Sequence, residues 1–140
     1  MLIADDYAPL RESLRAVLEN AGLEVIEAEN GAVALQVVVA NDVDVMLVDL
    51  KMPVCDGYEV LRRLGEPAPP VIVLSAFEQA TAEDVQTEFG PKVFAALRKP
   101  VSPGLLLDTV RRAVESYRTA KTLQSSHEVV DGLVTWSHPL

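Results

Sequence analysis

The chain has 140 residues, of which 49% are hydrophobic and 24% charged, which suits one packed domain and excludes a disordered chain. With 21 acidic and 12 basic residues the formal net charge is −9, which argues against direct nucleic-acid binding as the main role. No apolar run approaches the roughly 18 residues of a membrane span, and a single cysteine fits a reducing compartment, so we expect a cytoplasmic protein without membrane contact.

Two kinds of apolar segment alternate along the chain. Short apolar runs predict strands at residues 2–4, 23–28, 43–48, 71–74 and 93–97. Between these strands, helical spacing and the need for crossover connections predict helices at residues 10–21, 32–40, 58–64 and 81–89, with a last helix from residue 103. Strands that alternate with helices in this way predict an α/β fold with a five-stranded parallel sheet and helices on both faces.

The end of the chain differs in composition from the rest. We expect a domain over residues 1–119 and a C-terminal tail or linker over residues 120–140, which holds both histidines and the only tryptophan, Trp136. Because tryptophan-centred apolar clusters often anchor interfaces, the tail is predicted to dock on its own domain or on a second copy. The predicted docking face comprises the fourth and fifth helices and the fifth strand. The alternative is a plain linker.

Polar residues follow four of the predicted strands. Asp5 and Asp6 follow the first strand, Asp49 the third, Ser75 the fourth and Lys99 the fifth. Ligands of parallel sheets bind beyond the carboxyl ends of the strands, so these side chains are expected at one edge. Clustered carboxylates repel one another unless a cation neutralises them, and oxygen ligands in a small hydrated site suit Mg²⁺. A lysine ammonium beside them suits a phosphoryl group.

These residues carry a resemblance. Asp5-Asp6, the run from Asp49 to Pro53 with Asp56-Gly57, Ser75-Ala76 and Lys99-Pro100 together resemble the receiver domain of bacterial two-component response regulators. The resemblance covers residues 1–119 and implies a flavodoxin-like sheet with strand order 2-1-3-4-5. It also implies a cis Lys99–Pro100 peptide, because receivers commonly use this bend to direct the lysine into the site.

The resemblance implies a role for each site residue. Asp49 would accept a phosphoryl group from a histidine kinase or a phosphotransfer protein. Asp5, Asp6, Asp49 and the backbone carbonyl of Lys51 would hold Mg²⁺. Ser75 and Lys99 would contact phosphoryl oxygens. The domain would promote only its own phosphorylation and dephosphorylation, rather than act as an enzyme on another substrate, and it would switch a surface for a downstream effector protein or a homodimer partner.

One position departs from the family pattern. Receivers usually carry tyrosine or phenylalanine three residues before the lysine, where this chain has Ala96. By strand alternation, Phe94 is expected on the same face as Ala96, one pleat repeat away. Phe77, two residues after Ser75, could fill the space instead. The step of the phosphorylation switch that usually involves this aromatic side chain is therefore not expected in its common form.

Other functions fit the sequence less well. The main alternative is a degenerate receiver that docks proteins without being phosphorylated, against which the intact Asp49, Ser75 and Lys99 argue. A hydrolase of the haloacid-dehalogenase type would need a second aspartate where Lys51 stands. A flavodoxin-like flavin binder would need a phosphate loop where Asp5 and Asp6 would repel a phosphate. Considered singly, the same residues also have simpler interpretations. Asp5 and Asp6 could be acids at a helix N-terminus, Asp49 a turn residue, Ser75 a helix cap and Lys99 a solvated surface charge.

Overall fold

Strands and helices alternate in the computed structural model, which describes the backbone of residues 1–76 and 82–133 and the side chains of residues 1–76 and 84–123. The elements are β1 (Leu2–Ala4), α1 (Ala8–Asn20), β2 (Ile26–Ala28), α2 (Gly31–Ala40), β3 (Met46–Asp49), α3 (Gly57–Arg63), β4 (Val71–Ser75), α4 (Ala82–Phe89), β5 (Val93–Arg98) and α5 (Pro103–Leu133), with a 3-10 turn at Gly90–Lys92. The predicted order of elements is confirmed. The second and third strands begin three residues later than predicted.

All five strands belong to one parallel sheet with the order β2-β1-β3-β4-β5. The central strands β1, β3 and β4 are buried along their whole length, as expected for strands covered by helices on both faces. The parallel sheet and the strand order 2-1-3-4-5 are therefore both confirmed. All five carboxyl ends point to the same edge of the sheet, where the loops that carry the predicted site leave the strands.

Side-chain caps begin the helices that follow β2, β3 and β5. The side chain of Asn30 accepts a hydrogen bond from the Val33 amide at 2.9 Å, and that of Asp56 accepts one from the Glu59 amide at 2.9 Å. Ser102 caps α5, since its hydroxyl oxygen accepts from the Leu105 amide at 3.2 Å. Each such cap stabilises a helix by about 1 kcal/mol. The caps also mark where the loops at the functional edge end and the helices begin.

A β-bulge in β5 changes the predicted placement of Phe94. Val71 pairs with Val93, but the next residue, Ile72, pairs with Ala95, so Phe94 is the extra residue. The bulge interrupts strict alternation. As a result Phe94 packs in the core layer beneath α1 and α5, whereas Ala96 packs in the layer beneath α2, α3 and α4. The prediction that Phe94 and Ala96 share a face is wrong.

The last helix continues beyond the predicted end of the domain. Helix α5 runs from Pro103 to Leu133 without ending near Thr119. The division into residues 1–119 and 120–140 stays a prediction. The predicted docking of the tail through Trp136 lies outside the described residues. Among the described helices, α5 included, none has a stretch long and apolar enough to cross a membrane.

Candidate acidic phosphoacceptor site

The carboxyl ends of β1, β3, β4 and β5 bring the predicted site residues together. Asp5, Asp49 and Ser75 are buried, with exposed fractions of 1%, 7% and 9%, and Asp6 is exposed beside them. Lys99 enters from β5, where its backbone amide donates to the Ser75 carbonyl at 2.8 Å. The Asp5-Asp6 pair, Asp49, Ser75 and Lys99 are far apart in sequence, yet the parallel sheet brings them to the same edge.

Lys99 links the two buried carboxylates. Its Nζ lies 3.0 Å from Oδ2 of Asp5 and 3.1 Å from Oδ2 of Asp49. Burial alone would lower the pKa of Lys99, but the hydrogen bonds and negative charges of Asp5 and Asp49 outweigh burial and raise it. The ammonium group therefore stays charged and is held directly against Asp49. The peptide bond between Lys99 and Pro100 is cis, as predicted.

Asp49 carries a buried carboxyl group whose pKa and hydrogen bonds are set by its neighbours. Burial raises the pKa of Asp49, and the charge of Lys99 and the backbone amide of Lys51 oppose this rise without cancelling it. That amide donates to Oδ1 of Asp49 at 3.2 Å. The two oxygens of the carboxylate are thereby distinguished, because Oδ2 contacts Lys99 and Oδ1 faces the loop after β3.

Three carboxylates form a cluster that suits a hard cation. Asp5, Asp6 and Asp49 each offer one oxygen, and these oxygens lie within 4.8 Å of one another. A cavity of about 470 Å³ opens beside Asp6 and the loop after β3, and it leaves room for water molecules around an ion. Oxygen ligands with retained waters are the coordination that Mg²⁺ prefers, so the donor set fits this ion. The assignment of the Lys51 carbonyl as a further ligand stays a prediction.

The family model of the response regulator receiver domain matches residues 1–111 of the chain. The chain belongs to this family. A solved receiver domain from Methanospirillum hungatei, described as CheY-like, superimposes with a TM-score of 0.76 at 25% identity, over 85% of this chain and 95% of that one. The N-terminal domain of a protein from Wolinella succinogenes superimposes with a TM-score of 0.73 at 33% identity, over 88% of this chain and 96% of that one.

Curated relatives of this receiver domain are longer proteins. The phosphate regulon transcriptional regulatory protein PhoB of Pseudomonas aeruginosa is 36% identical over 107 residues, which is 74% of this chain and 46% of that protein. A protein-glutamate methylesterase/protein-glutamine glutaminase of Hahella chejuensis is 35% identical over 106 residues, which is 74% of this chain and 30% of that protein. The chain thus spans less than half the length of either relative, and the similarity supports the receiver function in two-component phosphorelay signalling.

The loop after β3 of this receiver domain is tightly built. Gly57 begins α3 directly against the end of β3, where an added Cβ would lie 2.5 Å from the Asp49 carbonyl oxygen. Val54 has a φ of 69°, which is rare for a β-branched residue, and the Cys55 amide donates to the Pro53 carbonyl at 2.7 Å around it. This tight turn holds the segment that contains Lys51 beside Asp49. The Asp56-Gly57 motif identified the loop from sequence, whereas the strained valine gave no signal.

Two further features concern residues outside the predicted set. Ala96 is partly buried and packs in the core layer beneath α2, α3 and α4, where receivers usually carry an aromatic residue. Phe77, which could fill the space beside Ala96, lies outside the described residues. Arg11, on α1, donates to the backbone carbonyl of Asp5 at 2.7 Å. Sequence reasoning missed this contact, because an arginine among helix-surface charges has no pattern of its own.

Proposed function

We propose that this receiver domain accepts a phosphoryl group on Asp49 in an Mg²⁺-dependent reaction. The observation that carries the proposal is the contact between Lys99 Nζ and the Asp49 carboxylate, 3.1 Å, inside a cluster of two other aspartates. In the reaction, an Asp49 carboxylate oxygen forms a bond to phosphorus while the bond between phosphorus and a histidine nitrogen of the donor breaks. The electron pair of that bond stays on the imidazole, which then takes a proton from solvent.

The neighbouring residues lower the cost of adding charge to an acidic pocket. Mg²⁺, held by Asp5, Asp6 and Asp49 and by the Lys51 carbonyl, would supply positive charge to the transferring phosphoryl oxygens. Lys99 would keep its place beside Asp49 and pair with one phosphoryl oxygen. Ser75, buried at the end of β4, would donate its hydroxyl to another. The pocket therefore acts by position and electrostatics.

An apolar cavity that suits docking of the proposed phosphodonor adjoins the pocket. A cavity of about 430 Å³ lies between α1 and the loop that leads from β5 into α5, and Leu10, Val17, Val101 and Lys99 are among its lining residues. Because Lys99 also belongs to the acidic pocket, a protein whose apolar side chains entered this cavity would place its histidine near Asp49. This supports a histidine kinase or a phosphotransfer protein as the partner. A downstream effector protein or a second copy stays a prediction.

Phosphorylation by a small phosphodonor tests the proposed function. In the presence of acetyl phosphate and Mg²⁺, the intact mass is expected to rise by about 80 Da, the mass of one phosphoryl group. The Asp49→Asn variant should not be labelled. Asp42→Asn is the matched control, since Asp42 is an exposed aspartate in the loop after α2, at the opposite edge of the sheet, and this variant should be labelled like the wild type.

The same experiment separates the proposal from the degenerate receiver. A wild-type protein that stays unlabelled while it still binds a kinase would favour the docking module. Labelling of Asp49→Asn at wild-type yield would show that another residue is the acceptor. A chelator should abolish labelling of the wild type if the reaction depends on Mg²⁺.

A further inference from the structure

Arg11 connects α1 to the end of β1 and to β2. Its Nη1 donates to the Asp5 carbonyl oxygen at 2.7 Å, and its Nε donates to Oε1 of Glu27 at 2.7 Å. The side chain of Arg11 is 15% exposed and that of Glu27 is 21% exposed, so both bonds are largely shielded from water. The planar guanidinium group is thus held along two of its edges.

Glu27 is itself held from a second side. Nη1 of Arg15, one turn further along α1, lies 2.8 Å from Oε2 of Glu27. Glu27 pairs with Ile3 in the β1–β2 register, and Ile3 lies two residues before Asp5 in the chain. The hydrogen bonds of Arg15 and Arg11, opposed by partial burial, lower the pKa of Glu27, so the carboxylate is ionised at neutral pH. The anchor of Arg11 is therefore fixed to the sheet and to the helix.

We propose that Arg11, held by Glu27, is a positioning residue for the Mg²⁺ ligands of this receiver domain. The carbonyl that Arg11 binds belongs to the peptide bond between Asp5 and Asp6. A hydrogen bond to that oxygen fixes the plane of the peptide, and the plane determines the direction in which the exposed Asp6 side chain leaves the backbone. The inference rests on the proposed function, because it assigns Asp5 and Asp6 to a bound cation.

Electrostatics and positioning predict opposite effects of removing Arg11. Arg11 is a cation close to the metal ligands, so its charge alone repels Mg²⁺, and a neutral residue in its place should raise Mg²⁺ affinity. If Arg11 instead orients the ligands, its removal should lower the affinity. Loss of a residue that orients metal ligands typically weakens binding by about tenfold or more. The sign of the change therefore identifies the role.

Calorimetric titration of Mg²⁺ into four proteins tests the inference. Arg11→Met should weaken binding by about tenfold, while Arg15→Met, which also removes a cation bound to Glu27 but has no bond to Asp5, should bind Mg²⁺ at least as tightly as the wild type. Arg11→Lys keeps the charge but has no planar fork to span both acceptors, and it should be weaker than the wild type. Labelling of Arg11→Met with acetyl phosphate should recover at saturating Mg²⁺.

The outcomes separate this inference from the proposed function. Unchanged or tighter Mg²⁺ binding by Arg11→Met overturns the positioning role alone. A wild-type protein that does not bind Mg²⁺ overturns the proposed function and this inference with it. If thermal denaturation shows that Arg11→Met is unfolded, Arg11→Lys takes its place, because it keeps the positive charge and loses only the planar fork. That variant should bind Mg²⁺ more weakly than the wild type, and equal affinities would contradict the inference.

Discussion

Two clusters of aspartate and lysine lie at opposite edges of the sheet. At the carboxyl edge, Lys99 lies within 3.1 Å of Asp5 and Asp49, and these two carboxyl side chains are 1% and 9% exposed. At the amino edge, Nζ of Lys121 on α5 lies 3.1 Å from Asp42, whose side chain is 73% exposed. The distances between charges are nearly equal. The difference in burial gives the two clusters different chemistry.

Burial outweighs the effect of the lysine on its aspartate at the carboxyl edge but not at the amino edge. At the carboxyl edge, burial raises the pKa of Asp49 in spite of the opposing charge of Lys99. At the amino edge, the hydroxyl of Tyr117 donates to Asp42 at 2.6 Å, and this bond, together with Lys121, lowers the pKa of Asp42. Water solvates the exposed charge of Asp42, whereas the buried carboxylates of Asp5 and Asp49 need cations beside them. Only the buried cluster is suited to a metal ion and a phosphoryl group.

The largest expected effect on stability follows from removing Lys99. In a chelator, Lys99→Met should lower the free energy of unfolding by about 3 kcal/mol, because it leaves two buried carboxylates without their cation. Urea denaturation monitored by circular dichroism measures this loss. Added Mg²⁺ should restore part of it. A Lys99→Met protein as stable as the wild type in chelator would contradict the view that the buried cluster depends on Lys99.

Mg²⁺ should stabilise the protein through the carboxyl edge alone. At a concentration one hundred times the dissociation constant, a ligand bound only by the native state adds about 2.7 kcal/mol to the free energy of unfolding. Thermal denaturation of the wild type should show this gain, and Asp6→Asn should lose most of it. Asp42→Asn serves as the control and should keep the full gain. Equal stabilisation of Asp6→Asn and the wild type would place the ion elsewhere.

Protonation should remove the contribution of the amino-edge cluster. The pKa of Asp42 is lowered in the folded protein, so its ionised form stabilises the fold above the unfolded pKa, and this contribution is lost as pH falls through the folded pKa. The difference in melting temperature between the wild type and Asp42→Asn should therefore be constant near neutral pH and shrink below about pH 4. A difference that grows on acidification would contradict this assignment.

The smallest effect is expected for Lys121. Its side chain is 54% exposed and its partner Asp42 more so, and salt screens exposed pairs of this kind. Lys121→Met should denature in urea close to the wild type, and the small difference should vanish in high salt. The substitution matches Lys99→Met. The two variants therefore measure directly how burial changes the contribution of a lysine–aspartate contact to the free energy of unfolding. A loss at Lys121 as large as that at Lys99 would show that burial is not the cause.

Most of the fold and the composition of the pocket could be predicted from sequence. Asp49 and Ser75 each end an apolar run, and Lys99 follows another, so the convergence of their side chains needed only a parallel sheet, which the alternating elements predict. Helix α2 could be assigned in spite of its three consecutive valines, because parallel strands need a crossover. Asn30, Asp56 and Ser102 begin helices as caps because of local chemistry that sequence contains.

The tertiary structure alone decided which contacts these elements make. The bulge that moves Phe94 to the other core layer arises from strand pairing, and nothing within β5 itself indicates it. The bond from Arg11 to the Asp5 carbonyl needs α1 to pack at one angle against the end of β1. Burial also depends on this packing, and it is what makes the chemistry of the Lys99 cluster different from that of the Lys121 cluster. Periodicity along a chain encodes elements and strand ends, while burial and contacts between distant residues depend on how the elements pack.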